Sequence, residues 1–220
     1  MINKTINLSI YLLRYFSIIK TKYSVSSKID FGSNLSNNFF KKHLKKCKFY
    51  LEYGSGNSTL LAVKYKKKFI SIEGDRSFYN YLRINKKIND IKYINIGPTK
   101  YFSYPILPFY FIKKKIRKYS NYFEKMFFGK KLIPDLILID GRFRVNVCLN
   151  IIKFLIKNKI KKNILIIVDD YKFRKSYKIL NEFFKIKNEG RFGVIKYNDY
   201  KKISLKNIDS YLLKSKIDYL

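Results

Sequence analysis

Two glycines separated by one residue mark the segment of this chain best suited to hold a ligand. Gly54 and Gly56 follow the short apolar run Phe49–Tyr53 and precede a stretch with helical spacing that begins near Ser58. Such a turn brings backbone N–H groups close to a bound molecule, and Ser58 suits the start of the helix. Tight strand-to-helix turns also use glycine for steric reasons alone, so the pattern gains meaning only from its surroundings.

An acidic residue with suitable spacing follows this turn. Glu73 ends the second apolar run, about twenty residues after the glycines, where a carboxylate accepts hydrogen bonds from both ribose hydroxyls of a nucleoside. Asp75 lies close by, but Glu73 directly follows the apolar run and is our candidate. Thr59 stands where a dinucleotide motif has its third glycine. A pyrophosphate needs that close approach and a sulfonium cofactor does not, so the pattern favours S-adenosylmethionine over NAD.

Three more carboxylates end later apolar runs. Asp140 closes the run at residues 134–140, and Asp169 with Asp170 follows the run at residues 164–168. Three carboxylates at neighbouring strand ends could bind Mg²⁺ or another divalent cation, which prefers oxygen ligands. Alternatively, Asp140 or Asp169 is a catalytic general base for a hydroxyl acceptor.

Arginines near these carboxylates offer other interpretations. Arg142 and Arg144 could neutralise the aspartates as ion pairs, or bind an anionic substrate through their planar forks. We assign Arg142, Asp170 and Tyr171 to the acceptor side of the site. His43, the only histidine, precedes the first strand, so a Ser-His-Asp or Cys-His hydrolase site is excluded.

Strand-like runs alternate with helical segments, which is typical of a parallel sheet with right-handed crossovers. Ligands of such sheets bind outside the carboxyl ends of the strands, where Glu52, Glu73 and the three aspartates fall. We predict an α/β fold, a Rossmann-like doubly wound and mostly parallel sheet of about seven strands with helices on both faces. The predicted strands lie at residues 49–53, 69–73, 91–96, 134–140 and 164–168, with an antiparallel strand at 193–197.

The predicted domain boundaries follow from changes in composition and hydrophobic pattern along the chain. Residues 1–45 are polar and irregular apart from a helical patch near residues 8–19, and they predict an N-terminal extension. Residues 46–200 form the predicted domain, with an insertion near residues 97–131 in which prolines and aromatics precede a lysine-rich helix. Residues 201–220 are predicted to be a C-terminal tail.

The motifs resemble those of class I S-adenosylmethionine-dependent methyltransferases. The segment Glu52-x-Gly54-x-Gly56-x-Ser58 is similar to their first cofactor motif, and Ser71-Ile72-Glu73 to their second. Ile-Asp-Gly near Asp140 and Val-Asp-Asp-Tyr near Asp169 are similar to a little-characterised bacterial branch of that superfamily. The resemblance covers about residues 46–197 and implies that Glu52, Gly54, Gly56, Ser58, Glu73 and Asp140 surround S-adenosylmethionine. Metal-dependent O-methyltransferases have a similar layout, with Asp-Asn where this chain has Asp-Asp-Tyr.

The composition of the chain limits the classes of binding partner that we expect. The chain has 48 Lys and Arg against 15 Asp and Glu, a formal net charge of +33. Such a field attracts nucleic acid and anionic membranes. Only eight of the basic residues are arginine, and the lysines are spread along the whole chain, whereas phosphate-binding surfaces cluster their charge and favour arginine. Nucleic acid is therefore a possible but not a favoured partner, and a solvated surface is the preferred interpretation.

Cysteine use and the N-terminus indicate a cytoplasmic protein. Cys47 and Cys148 fit no metal spacing and are typical of buried thiols in a reducing compartment. The apolar stretch at residues 6–19 contains Arg14 and precedes no small-residue cleavage site, so it predicts neither a signal peptide nor a transmembrane segment. An amphipathic interfacial helix stays open as an alternative there.

Together these features predict an S-adenosylmethionine-dependent methyltransferase that O-methylates a small molecule or a glycan. An RNA methyltransferase is the first alternative, because it would use the positive charge, although the sequence contains no Asn-Pro-Pro-Tyr-like motif. A Rossmann-like nucleotide-binding protein without catalytic activity is the second, since fold does not fix function.

Overall fold

One sheet organises the molecule. The structure, a computed structural model, describes residues 9, 23–100, 103–130, 132–197 and 204–214. Within these residues seven strands form a single sheet of order β3-β2-β1-β4-β5-β7-β6. The strands are β1 Phe49–Tyr53, β2 Lys68–Glu73, β3 Ile91–Tyr93, β4 Leu136–Ile139, β5 Leu165–Val168, β6 Lys187–Glu189 and β7 Phe192–Lys196.

The first five strands are parallel, and β7 runs antiparallel to both β5 and β6. The predicted fold class is thereby confirmed, including the antiparallel strand near residues 193–197. The order reverses at β1, because β2 lies on one side of it and β4 on the other. In open α/β sheets this reversal opens a crevice beyond the carboxyl ends of the strands.

Helices cover both faces of the sheet. In chain order they are α1 Asn34–Lys46, α2 Asn57–Lys64, α3 Arg76–Ile84, α4 Phe109–Ser120, α5 Tyr122–Lys130, α6 Arg144–Lys157, the 3₁₀ helix Lys175–Glu182 and α7 Leu205–Lys214. The central strands consist almost entirely of buried residues, as expected where both faces are covered. None of the helices in the described ranges is long and apolar enough to span a bilayer.

Alternate side chains of each strand enter two separate cores. In β1, Leu51 and Tyr53 pack with the core that includes Ile112 and Ile152 from α4 and α6. Tyr50 points to the opposite face, into the core that α1, α2 and α3 cover. This period of two is the reason why an unbroken apolar strand can serve both layers at once.

The segment between β3 and β4 is part of one helical layer. Its helices α4 and α5 pack on the sheet through buried side chains that include Ile112, Tyr119 and Phe123. The chain must cross from the edge strand β3 past β2 and β1 to reach β4, and these helices make that crossing. The sequence predicted an insertion near residues 97–131, and the structure shows its two helices packed into the helical layer of the domain.

Both ends of the predicted domain extend further than expected. Helix α1 begins at Asn34, inside a stretch predicted to be irregular, and its Phe40 and Leu44 are fully buried. The boundary at residue 45 therefore falls at the end of a packed helix. In the predicted tail, α7 buries Ile208 completely. The helical patch predicted near residues 8–19 lies outside the described residues, apart from Ser9.

The strand register brings the candidate residues to one level. Tyr53 pairs with Ile72 of β2 and with Ile139 of β4, and Ile139 pairs with Val168 of β5. The residues that follow these strands therefore emerge side by side at one edge of the sheet.

Candidate functional site

A cavity of about 640 Å³ opens at the carboxyl ends of the central strands. The turn at residues 54–57 forms one wall, and Glu73 and Asp75 form a second. The segment at residues 140–142 and Asp170 also line the cavity. The remaining lining residues are Tyr23, Ser24, Val25, Phe78, Ser103, Tyr104, Arg144, Arg174 and Arg191.

Gly54 allows two turns to touch beneath the cavity. Its φ is +92°, a left-handed conformation that favours glycine. A Cβ atom on Gly54 would lie 2.5 Å from the backbone nitrogen of Gly141 and 2.7 Å from the carbonyl carbon of Asp140. Gly56 differs, because a Cβ atom there would have no neighbour within 4 Å. The first glycine therefore serves packing, and the second leaves space on the cavity wall.

Glu52 holds the glycine turn from beneath. Its fully buried carboxylate accepts hydrogen bonds from Tyr50 Oη and Ser58 Oγ, both at 2.7 Å, and from Thr59 Oγ1. Burial raises the pKa of Glu52, against the opposing effect of these hydrogen bonds. Neither Glu52 nor the buried Ser58 lines the cavity. Both were predicted to bind cofactor, and the structure places them one layer below it.

Glu73 lies at the cavity wall within a set of short polar contacts. Its Oε1 accepts hydrogen bonds from the backbone nitrogens of Gly74 and Asp75, both at 2.7 Å, and from Ser103 Oγ at 2.9 Å. Its Oε2 accepts one from the Ser55 nitrogen at 3.1 Å. Burial raises the pKa of Glu73 to about 7. The glycine turn and Glu73 are thus directly connected and face the same cavity.

Asp75 also lines the cavity, but its hydrogen bonds differ from those of Glu73. Its carboxylate accepts the Phe78 backbone N–H at 2.9 Å, which caps helix α3, and the Thr99 hydroxyl at 3.0 Å. An N-cap aspartate satisfies an otherwise unpaired helical N–H group. The structure therefore separates two neighbouring acids that the sequence could only rank.

The three aspartates after β4 and β5 form an ion cluster with two arginines. Arg144 Nη2 lies 2.9 Å from Asp140 Oδ1, and Nη1 lies 3.3 Å from Asp169 Oδ2 and 3.2 Å from Asp170 Oδ2. Arg191 Nη2 donates to Asp169 Oδ2 at 2.6 Å and also pairs with Asp170. A buried carboxylate is stable only with such partners.

This cluster does not support the prediction of a divalent metal at Asp140, Asp169 and Asp170. A hard cation needs oxygen ligands that converge on it, whereas these oxygens converge on the guanidinium groups of Arg144 and Arg191. Across the ranges that the structure describes, no group of three His, Cys, Asp or Glu side chains is arranged to bind a metal ion. Of the alternatives raised by the sequence, ion pairing describes these residues.

Asp140 and Asp169, both catalytic candidates, have different surroundings. The Asp169 side chain is 1% exposed and does not line the cavity, whereas that of Asp140 is 30% exposed and does. Burial opposes ionisation of Asp169, but its hydrogen bond with Asp140 and the charges of Arg144 and Arg191 hold its pKa below the usual range. Burial and the Asp169 charge raise the pKa of Asp140 well above its usual range. Asp140 alone of the two can reach a ligand.

Tyr171, predicted to contact the acceptor, is a packing residue. It is 2% exposed, and its hydroxyl donates to Asn181 Oδ1 at 2.7 Å. Its ring lies against Gly193 of β7, where a Cβ atom would come within 2.4 Å of it. The strand end turns its side chain away from the cavity, so this prediction is wrong.

Arg142 and Tyr104 face each other across the cavity wall. The guanidinium carbon of Arg142 lies 3.9 Å from the centre of the Tyr104 ring, a cation–π contact. Hydrogen bonding to Arg142 and to Arg174, together with their charges, lowers the pKa of the Tyr104 phenol. Arg174 in turn lies 3.5 Å from Asp170. Sequence reasoning placed Arg142 here but missed Arg174.

The segment at residues 23–28 closes one side of the cavity. Asn57 holds it in place, because its Oδ1 accepts from the Ser26 nitrogen at 3.0 Å and its Nδ2 donates to the Lys28 carbonyl at 3.1 Å. The Tyr23 ring packs 5.0 Å from that of Phe78. No local pattern in this Ser-rich stretch indicates such a role, since it arises only once the chain folds back over α2.

Solved structures identify the fold. A methyltransferase-like protein from Silicibacter pomeroyi superposes with a TM-score of 0.64 at 22% sequence identity, over 86% of this chain and 97% of that chain. The two chains share a Rossmann-like α/β fold. A fibrillarin/Nop5p complex structure gives a TM-score of 0.37 at 17% identity, over 80% of this chain and 90% of that chain, which is too low to support a conclusion. No protein-family model and no curated protein matches the sequence.

The fold brings several of the predicted residues together. Gly54, Gly56 and Glu73 line the same cavity as Asp140, Arg142 and Asp170. The sequence missed Arg191, which reaches the site from the turn between β6 and β7. A Gly190 turn signal was visible, but only the antiparallel pairing of β7 with β5 brings that turn to the aspartates.

Proposed function

We propose that the protein is an S-adenosylmethionine-dependent methyltransferase. The observation that carries the proposal is a single cavity that the glycine turn, Glu73 and Asp140 line together. Its volume of about 640 Å³ lies within the range of small-molecule and cofactor pockets. The likeness to the Silicibacter pomeroyi protein supports the fold on which this proposal rests.

Each wall of the cavity suits one portion of the cofactor. Glu73 would accept hydrogen bonds from the ribose hydroxyls, and the open space at Gly56 would admit the methionyl portion close to the backbone. Thr59 is fully buried against Glu52 and accepts the Gly56 N–H at 2.9 Å. It fills the place of the third glycine in a dinucleotide motif, which disfavours NAD.

Asp140 would act on the acceptor. When bound, S-adenosylmethionine supplies an electrophilic methyl group, and the acceptor oxygen must lose a proton as it takes that group. Asp140 faces the cavity, and Arg144 fixes its Oδ1 at 2.9 Å. Its raised pKa makes its ionised form a stronger proton acceptor than an ordinary aspartate. We therefore propose O-methylation of a small molecule or a glycan, with the hydroxyl proton transferred to Asp140.

Calorimetry tests the cofactor assignment. Titration of the protein at pH 8 with S-adenosylmethionine and with S-adenosylhomocysteine should show saturable binding of both, and NAD should show none. Glu73→Gln should weaken both ligands about 10- to 100-fold, because charge-assisted hydrogen bonds to the ribose are lost. Asp75→Asn is the matched control, since asparagine also caps a helix, and it should leave both affinities within about threefold. If neither S-adenosylmethionine nor S-adenosylhomocysteine binds, the proposal is overturned.

Labelled S-adenosylmethionine tests the role of Asp140. Incubation with a low-molecular-mass cell extract should transfer label to a small hydroxylated product. Asp140→Asn should reduce this transfer by at least about 100-fold, the usual range for loss of a general base. Its affinity for S-adenosylhomocysteine should change by less than about threefold. Undiminished transfer by the variant would exclude Asp140 as the base.

A further inference from the structure

Arginine, in a chain dominated by lysine, is concentrated at the cavity. Only eight of the 48 basic residues are arginine, and four of these eight, Arg142, Arg144, Arg174 and Arg191, line the cavity, which no lysine of the described ranges does. Lysine carries the same charge but lacks the planar fork that binds two oxygens at once. The fork is therefore what these positions require.

Three of the four arginines have carboxylate partners. Arg144 and Arg191 bind the aspartates that follow β4 and β5, and Arg174 lies 3.5 Å from Asp170. Arg142 differs from them. In the part of the chain that the structure describes, no ion pair includes it, and its neighbour at the cavity is the Tyr104 ring.

The burial of Arg142 makes this lack of a partner costly. The residue is only 9% exposed, and a buried cation without an anion is unfavourable. Its stacking on Tyr104, whose phenol lies between Arg142 and Arg174, holds the guanidinium plane in position. A planar carboxylate or a phosphate of a ligand would supply the missing charge through two parallel hydrogen bonds.

We propose that Arg142, oriented by Tyr104, is an oxyanion-binding residue for an acidic acceptor, a hydroxylated molecule that bears a carboxylate or a phosphate. The inference rests on the proposed function and deepens it. The cofactor has a carboxylate of its own. We assign the oxyanion to the acceptor because Tyr104 connects Arg142 to Arg174, which pairs with Asp170 after β5.

Two nucleoside ligands distinguish whether Arg142 binds the cofactor carboxylate or an oxyanion of the acceptor. S-adenosylhomocysteine has the amino-acid carboxylate, and 5′-methylthioadenosine lacks it. For the proposed acceptor site, Arg142→Gln should change the affinity for both by less than about threefold. A loss of more than about tenfold for S-adenosylhomocysteine alone would assign Arg142 to the cofactor carboxylate and overturn the proposal. Failure of the wild type to bind either nucleoside would instead overturn the proposed function.

The oxyanion is tested with benzoate and inorganic phosphate as probes. At constant ionic strength, one of them should raise the Tm of the protein saturated with S-adenosylhomocysteine in a saturable manner, and Arg142→Gln should weaken that response at least tenfold. Arg117→Gln, on the exposed face of α4, is the matched control and should keep the response. The ligand-free Arg142→Gln protein should have an unchanged or higher Tm, because an unpaired buried charge is removed. An equal response in both variants, or none in the wild type, would overturn the proposal.

Discussion

Gly54→Ala should destabilise the protein by pushing apart the two turns that support the cavity. The added methyl group would lie 2.5 Å from Gly141 N, 2.6 Å from Gly141 Cα and 2.7 Å from the Asp140 carbonyl carbon. All three are backbone atoms, so no side chain can rotate away to make room. The φ of +92° adds a conformational penalty for any residue with a Cβ atom.

The magnitude follows from these two effects. A non-glycine residue held in a sparsely populated conformation costs about 1–3 kcal/mol. Forcing an additional carbon into packed structure costs about 1–3 kcal/mol more. We expect the free energy of unfolding to fall by about 2–6 kcal/mol, which for a chain of this size lowers Tm by roughly 5–20 °C. Because the displaced backbone belongs to the cavity, affinity for S-adenosylhomocysteine should fall as well.

Gly56→Ala is the matched control, two residues further along the same turn. Its φ of 171° is extended backbone, and the added methyl group would meet nothing within 4 Å. Chemical denaturation should therefore give a loss of less than about 1 kcal/mol. Any loss of ligand affinity in this variant would come from the methyl group entering the cavity. Equal stability of Gly54→Ala and wild type, or an equal loss in both variants, would refute the steric reasoning.

Three further predictions concern buried polar groups. Asp169→Asn should lower the free energy of unfolding by about 3 kcal/mol in urea denaturation, because Arg191 and Arg144 lose a buried partner. Burial raises the Glu73 pKa to about 7, so its protonated form stabilises the fold at pH 4.5, and that stability is lost as pH rises through 7. Between pH 4.5 and pH 8, the free energy of unfolding of the wild type should fall by about 3 kcal/mol relative to that of Glu73→Gln. Parallel plots of unfolding free energy against pH for the two proteins would contradict this. Tyr171→Phe should cost about 1 kcal/mol, from its hydrogen bond to Asn181, and leave nucleoside affinity unchanged.

Much of the fold is predictable because its strands are buried on both faces. The run Phe49–Tyr53 is unbroken and apolar up to Glu52, and it forms β1 with the predicted bounds. The polar strand Lys187–Glu189 has no such pattern and was missed, since its pairing with β7 depends on a turn and not on burial. Helix α1 was also missed, because Asn34 and Ser36 in its first turn do not indicate a helix by composition.

The candidate site likewise contains residues that could be predicted from the sequence and residues that could not. Gly54 and Glu73 could be predicted because one strand, one turn and one neighbouring strand place them. Tyr104 and Arg191 come from a loop and a hairpin far along the chain, and their approach depends on packing that no local spacing encodes. The direction of Tyr171 was also beyond the sequence, because the positive φ of Asp170 sets how the chain leaves β5.

The charge of the chain acts at two separate ranges. The formal excess of +33 arises mainly from lysines distributed along the sequence, and their attraction for anions is screened by salt beyond about 10 Å. At the cavity, four arginines face four lining carboxylates, Glu73, Asp75, Asp140 and Asp170, and the buried Asp169 pairs with two of these arginines. Protonation of Glu73, with its pKa of about 7, removes one negative charge from the site as pH falls through neutrality. Binding of benzoate, whose charge is constant over this range, should therefore strengthen as pH falls from 8 to 6, and it should weaken with salt far less than nonspecific binding of a polyanion to the lysines.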